Sequence, residues 1–269
     1  MRFKNKILLC CFVVKAFWLC GCASTTESGA VGAHRKQLLL VPNNIIESSA
    51  KQSYAQVISQ ARAKGTLNKN PLQTQRVRQI ANKLIPQTKI FRTEAVSWNW
   101  EVNVITSNEV NAWCMPGGKI AFYSGIIEKL NLTDGEIAAI MGHEIAHALR
   151  EHGRERVSEA LMLQMGLKAL SDSKAVEQNK IPIAAVASTL LISLPNSRQQ
   201  ETEADEIGLE LMARAGYDPR ESVSLWTKMQ TQSGLKPPEF LSTHPSDSTR
   251  IRNLESMIPQ VASFYEEKK

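Results

Sequence analysis

The 269-residue sequence holds no apolar run long enough to cross a bilayer, no internal repeat and no low-complexity stretch. Those absences exclude a polytopic membrane protein and a repeat array. The 14 Gly and 11 Pro are too few for a collagen. What remains, 43% apolar and 22% charged residues, excludes a disordered tail and suits one medium domain or two small ones. Neither sign of charge dominates: 32 Lys and Arg face 26 Asp and Glu, a formal +6. That surplus first suggests nucleic acid or acidic lipid as a partner. The five Cys and five His are few enough for their positions to decide their roles.

The start of the chain reads as an address. Arg2, Lys4 and Lys6 precede the apolar run Ile7 to Val14, and Leu19-Cys20-Gly21-Cys22 leads into a polar stretch. A basic region, a short apolar region and small residues at a cleavage point form a secretory signal. Leu-x-Gly-Cys at its end resembles the lipobox of bacterial lipoproteins, which implies a signal peptide over 1–21 and lipidation at Cys22. Lys15 interrupts the apolar stretch, a departure from the pattern. Losing Arg2, Lys4, Lys6 and Lys15 takes the basic count from 32 to 28 against 26 acidic, so the charge argument for nucleic acid mostly disappears. Cys10, Cys11 and Cys20 leave with the signal and Cys114 stands alone, so no intramolecular disulfide framework is expected. Ala23 after the lipobox implies, by resemblance to lipoprotein sorting, the outer membrane facing the periplasm.

Residues 22–42 read as a tether and 43–265 as one domain. Asn43 or Asn44 is a candidate cap for a helix to about Ala63, and Asn70-Pro71 opens a second helix to about Leu84. Alternation at 98–105 predicts a strand, and Val110–Cys114 and Lys119–Ser124 predict two more around a turn at Met115–Gly118. The fold class is therefore α+β, mostly helical, with a small antiparallel sheet. Thr133 and Glu136 match a capping box for a helix to about Glu151. Further helices are expected at about 154–170, 182–194, 198–215, 219–231 and 246–257. Ile183 to Leu194, twelve apolar-rich residues between prolines, reads as a buried helix.

His143-Glu144-Ile145-Ala146-His147 lies within the capped helix. Residues four apart differ by about 40° around a helix axis, so both imidazoles address one spot and a divalent metal fits between them. Glu144 lies one residue along, within reach of a water there. This is the zinc peptidase pattern of two ligands and a general base. A catalytic site needs a third protein ligand. His152, about 140° away from His147 on a continuous helix, reads as a surface residue. Glu201 and Asp205 share a helix face, so one can ligate while the other orients a ligating His. Glu203 points elsewhere and reads as solvated or in a structural ion pair.

Four motifs then stand in order: Asn111-Ala-x-x-x-Pro-Gly-Gly118, H-E-x-x-H, E-x-E-A-D from Glu201, and His244-Pro-x-x-x-x-Arg250-Ile. Over roughly residues 70–258 the chain resembles family forty-eight of the zinc metallopeptidases, the gluzincins of HtpX, Oma and CAAX prenyl protease type, and within it the bacterial lipoprotein branch. The resemblance implies a zincin-like fold, one zinc ion, Glu201 as third ligand and Asp205 supporting His143. It implies an endopeptidase acting on misfolded or misassembled envelope proteins, with protein or peptide substrates and the outer-membrane assembly machinery as partners. A chaperone or assembly factor with little turnover is the alternative. Asn111, Ala112 and Trp113 form either a substrate-binding sheet edge or an interior strand. His244 is expected to donate to the oxyanion or to block the open zinc position. Arg250 is expected to pin its loop or to bond the substrate carbonyl.

Overall fold

A computed structural model describes residues 22–171, 187, 195–231, 239–244 and 248–268. The signal segment 1–21 and the expected helix 182–194, apart from Ala187, lie outside the described residues. Two short strands, β1 (Cys22–Ala23) and β2 (Gln37–Leu38), pair antiparallel. Helices α1 (Asn43–Ala63) and α2 (Pro71–Leu84) follow, then two 3-10 turns at Ile85–Ile90 and Thr93–Ser97. The sheet contains β3 (Glu101–Ile105), β4 (Ala112–Met115) and β5 (Lys119–Tyr123). The rest is helical: α3 (Ser124–Lys129), α4 (Asp134–Leu149), α5 (His152–Ser171), α6 (Arg198–Arg214), α7 (Arg220–Thr231), α8 (Glu239–Thr243) and α9 (Ser248–Glu266). Among the described residues no helix is long and apolar enough to cross a membrane.

Local chemistry explains several boundaries. Asn70 accepts from the Gln73 amide and Pro71 sits in the first turn, where its missing N–H costs nothing. Thr133 and Glu136 form the reciprocal capping box that starts α4. Gly117 and Gly118, both at φ +78°, make the tight β4–β5 turn. The expected cap at Asn43 or Asn44 is absent. Both lie inside α1, which follows Pro42 with no side-chain cap, and the Asn43 amide instead donates to Glu47.

The sheet differs from the expected antiparallel one. Its order is β3-β5-β4: β4 and β5 form the antiparallel hairpin, but β3 runs parallel to β5. β5 is therefore central, and β4 is an edge.

Helix α4 is the axis of the core. Every residue from Gly135 to Leu149 is buried, so it has no solvent face, the pattern of a helix enclosed by others. α6 crosses it at a glycine-on-glycine contact. A Cβ on Gly208 would lie 2.7 Å from the His143 backbone nitrogen and 2.9 Å from the Gly142 carbonyl carbon. Backbone cannot yield as a side chain tip can. This close approach sets the distance between His143 on α4 and the acidic residues of α6. Gly208→Ala is expected to cost about 1–3 kcal/mol by overpacking and to loosen metal binding as well. Denaturant midpoints and zinc content of the purified variant check both parts.

The segment read as a tether is packed on the body from Ser24 onward. Gln37 is fully buried and donates to the Arg150 carbonyl and to Glu155. The amides of Ala30 and Val31 donate to Glu210, and those of Leu40 and Val41 to Ser158. Arg35 forks across Glu155 and Glu203. The stretch read as a tether, but most of these hydrogen bonds end on the buried carboxylates Glu155, Glu203 and Glu210 of α5 and α6.

Candidate metal centre

α4 places His143 and His147 one turn apart, with their Nε2 atoms 3.0 Å from each other. α6 brings Glu201 against both: its two carboxylate oxygens each lie 3.3 Å from one of these Nε2 atoms. His244, just after α8, puts Nδ1 3.0 Å from Glu201 Oε1 and 3.2 Å from His143 Nε2. All four residues are buried, and one donor atom from each lies within 4.8 Å of the others. Buried imidazoles converging on a carboxylate form the nitrogen and oxygen set that zinc takes.

Around this group the structure supplies orientation. Asp205 Oδ1 lies 3.0 Å from His143 Nδ1, so the ring donates from Nδ1 and turns Nε2 to the centre. Arg250 donates from Nε and Nη2 to the two oxygens of Asp205, at 2.6 and 2.7 Å, and from Nη1 to Glu201 at 2.8 Å. Its guanidinium lies 3.4 Å from the Trp226 ring centre. Arg250 thus directs its donors to the carboxylates behind the centre.

Glu144 is buried beside the cleft. Its Oε1 has no hydrogen bond among the described residues, and His244 Nε2 lies 3.3 Å away. Burial raises its carboxyl pKa against the pull of His244 and His143, the direction that makes a stronger base. Burial pulls His143 down, but Glu201 beside it lifts the net value to about 9. Glu201 is held well below the carboxylate range: burial opposes ionisation, and His244 and His143 outweigh it.

The cleft over Glu144 and His147 is walled by Asn111, Ala112 and Trp113, by Arg156 and by Asn196. Phe240 donates its amide to the Val110 carbonyl, closing one end of this wall. From Ala112 to Met115, no described strand pairs with the outer side of β4. Cys114 is a buried free thiol whose pKa burial pushes well up, so it behaves as a small apolar residue rather than a reactive one.

Four contributors escaped sequence reasoning. Asn196 donates to the Thr243 carbonyl both from its backbone, at 3.0 Å, and from its side chain, at 3.3 Å, tying the His244 segment to the start of α6. Arg156 bonds Asn196 from the cleft wall. No motif marks either one. His152 is fully buried and contacts His147, the reverse of the surface position expected for it. The helix breaks after Leu149, and Glu151 takes φ +51°, which turns His152 back toward the centre. Arg92 and Arg154 both pair with Glu151 at 2.7 Å and hold it in this uncommon conformation. Glu203 sits in structural ion pairs, one of the two readings given for it, with Arg35 and Arg150, and accepts a hydrogen bond from His152 Nε2; Arg35 was not foreseen.

A mostly helical body with a small mixed sheet, a pair of imidazoles one turn apart and a facing carboxylate define a zincin-like, metallopeptidase-type protein. The model of peptidase family M48 matches residues 71–258, and the chain belongs to that family. It is similar to the mitochondrial metalloendopeptidase OMA1 of Saccharomyces cerevisiae, 36% identical over 177 residues, covering 62% of this chain and 50% of that protein. It is similar also to the human OMA1 metalloendopeptidase, 33% identical over 62% of this chain and 34% of that one. The beta-barrel assembly-enhancing protease of Yersinia pestis is 26% identical over 76% of this chain and 43% of its own length. The chain thus spans half or less of the length of these relatives.

Proposed function

We propose that this protein is a zinc-dependent endopeptidase that cleaves misfolded or misassembled envelope proteins, held by a lipid on Cys22 at the outer membrane and facing the periplasm. The observation that carries the reading is the buried group of His143, His147 and Glu201 with Glu144 Oε1 aimed beside it. A zinc ion held by those three residues would supply Lewis acidity to a water and to the scissile carbonyl. Glu144 takes the proton of the attacking water and returns it to the leaving amine. Arg250 and Asp205 hold Glu201 and His143 in place. The outer side of β4 pairs with an extended substrate by backbone hydrogen bonds, which suits unfolded chains of varied sequence. Similarity to a beta-barrel assembly-enhancing protease supports the envelope substrate class, and the lipobox-like Leu19–Cys22 supports the anchor.

His244 completes a four-donor set, and in this reading it is the group that closes the centre until substrate arrives. His244→Ala is then expected to raise cleavage of an unstructured substrate by about three- to tenfold. An oxyanion donor would behave oppositely, its loss lowering turnover by about 10²-fold or more. The functional test offers an unfolded outer-membrane β-barrel protein to the full chain. Cleavage that a chelator stops and added zinc restores supports the endopeptidase. Assisted folding without cleavage would favour the assembly-factor alternative.

A further inference from the structure

His147 turns Nε2 toward His143 and Glu201 and turns Nδ1 away from them. That Nδ1 lies 2.7 Å from Nδ1 of His152. Between two imidazole nitrogens at this distance one hydrogen is shared, so one ring donates and the other accepts. The far side of His152 decides which. Its Nε2 lies 3.0 Å from Glu203 Oε2, and a carboxylate only accepts, so His152 Nε2 carries a hydrogen. His152 is fully buried, which disfavours a second hydrogen and a charge on its ring, so the ring accepts at Nδ1 and His147 donates from its own Nδ1. The bare nitrogen of His147 is therefore Nε2, the one that faces the donor group.

Glu203 is fixed in turn. Arg35 donates to its two oxygens at 2.8 and 3.0 Å, and Arg150 donates at 3.2 Å. Arg35 also bonds both oxygens of Glu155, at 2.5 and 2.8 Å. Arg150 reaches the segment as well, through Ser24, Thr26 and the Arg35 carbonyl. A directional chain thus runs from His147 through His152 and Glu203 to residues 24–37, the strap that follows Cys22. His143 has its counterpart in Asp205, so each imidazole of the pair has a hydrogen-bond acceptor that selects its tautomer.

We propose that His152, backed by Glu203, is the positioning residue for His147, and that Arg35 makes the N-terminal strap a working part of the metal centre. This rests on the metal-centre reading above. It goes beyond that reading by placing the structural support of one ligand in a segment outside the family match at 71–258. Displacement of the strap then weakens metal binding without touching any ligand.

The test measures zinc affinity of the full chain by competition with a chromophoric chelator, alongside the melting temperature of the zinc-free protein. His152→Gln can accept from His147 through its amide oxygen and donate to Glu203 through its amide nitrogen. Its dissociation constant is expected within about threefold of wild type. His152→Leu can do neither and is expected to weaken zinc binding by about 10- to 100-fold. Arg35→Met, at a partly exposed position, is expected to weaken it by about three- to tenfold. A merely structural role would lower melting temperatures and leave the affinity of the folded variants alike. Equal affinities in wild type and His152→Leu would overturn the positioning role. An unchanged affinity in Arg35→Met would overturn the role of the strap. If His152→Leu does not fold, His152→Phe carries the same comparison, and wild-type affinity in that variant overturns the proposal. A wild-type chain that takes up no zinc at all would instead sink the metal-centre reading, an outcome visible before any variant is compared.

Discussion

Glu144→Gln is expected to retain zinc and to lose proteolysis by at least about 10²-fold, the scale of a positioned general base. The amide matches the carboxylate in shape, so the buried site between α4 and β4 keeps its packing. It cannot take up the proton of the attacking water. None of the convergent donors is removed, because Glu144 is not among the four residues whose atoms meet. In the proposed mechanism the turnover number should fall while substrate binding persists. Steady-state cleavage of an unstructured protein with zinc content measured on the same sample separates these effects. Full cleavage by this variant would remove Glu144 from the mechanism, and loss of zinc would make it a ligand.

Glu201→Ala is expected to empty the site. Glu201 is the carboxylate that faces both imidazoles of α4, at 3.3 Å from each. Its removal also leaves Arg250 Nη1 without the oxygen it contacts at 2.8 Å. An arginine cation would then stand behind the histidines with less counter-charge, which disfavours a second cation. Zinc affinity should drop by more than about 100-fold, beyond the loss typical of an outer partner. Metal analysis after desalting gives the answer. Zinc held at one per chain by this variant would place the third ligand elsewhere. The melting temperature should change less than for Gly208→Ala, because truncating Glu201 leaves space whereas a methyl group added at Gly208 meets backbone.

The parts of this site visible in the sequence are those with local signatures. The capping box at Thr133 and Glu136, the four-residue spacing of His143 and His147, and the shared face of Glu201 and Asp205 all follow from helical geometry. The hairpin turn at Gly117 and Gly118 was equally legible. Three features were not. Alternation marks β3 as a strand but carries no information about partner direction, and its parallel neighbour β5 lies beyond β4 in the chain. The angle that put His152 on the surface assumed one continuous helix, whereas Glu151 at φ +51° restarts the chain in a new direction. The strap looked like a linker because composition is a local property. Its anchors, Glu155, Glu203 and Glu210, lie more than a hundred residues away. Arg250 is the complementary case: its motif placed it at the site, and only the structure shows that its donors meet Asp205 and Glu201.

In the proposed centre two imidazoles of α4 and a carboxylate of α6 hold one zinc ion. X-ray absorption at the zinc edge on the purified full chain reads that donor set without any variant. A shell of nitrogen and oxygen donors at about 2.0–2.1 Å is expected, with outer scattering from at least two imidazole rings and no sulfur. A sulfur donor at about 2.3 Å, which would bring Cys114 into the shell, or a shell without imidazole would contradict it.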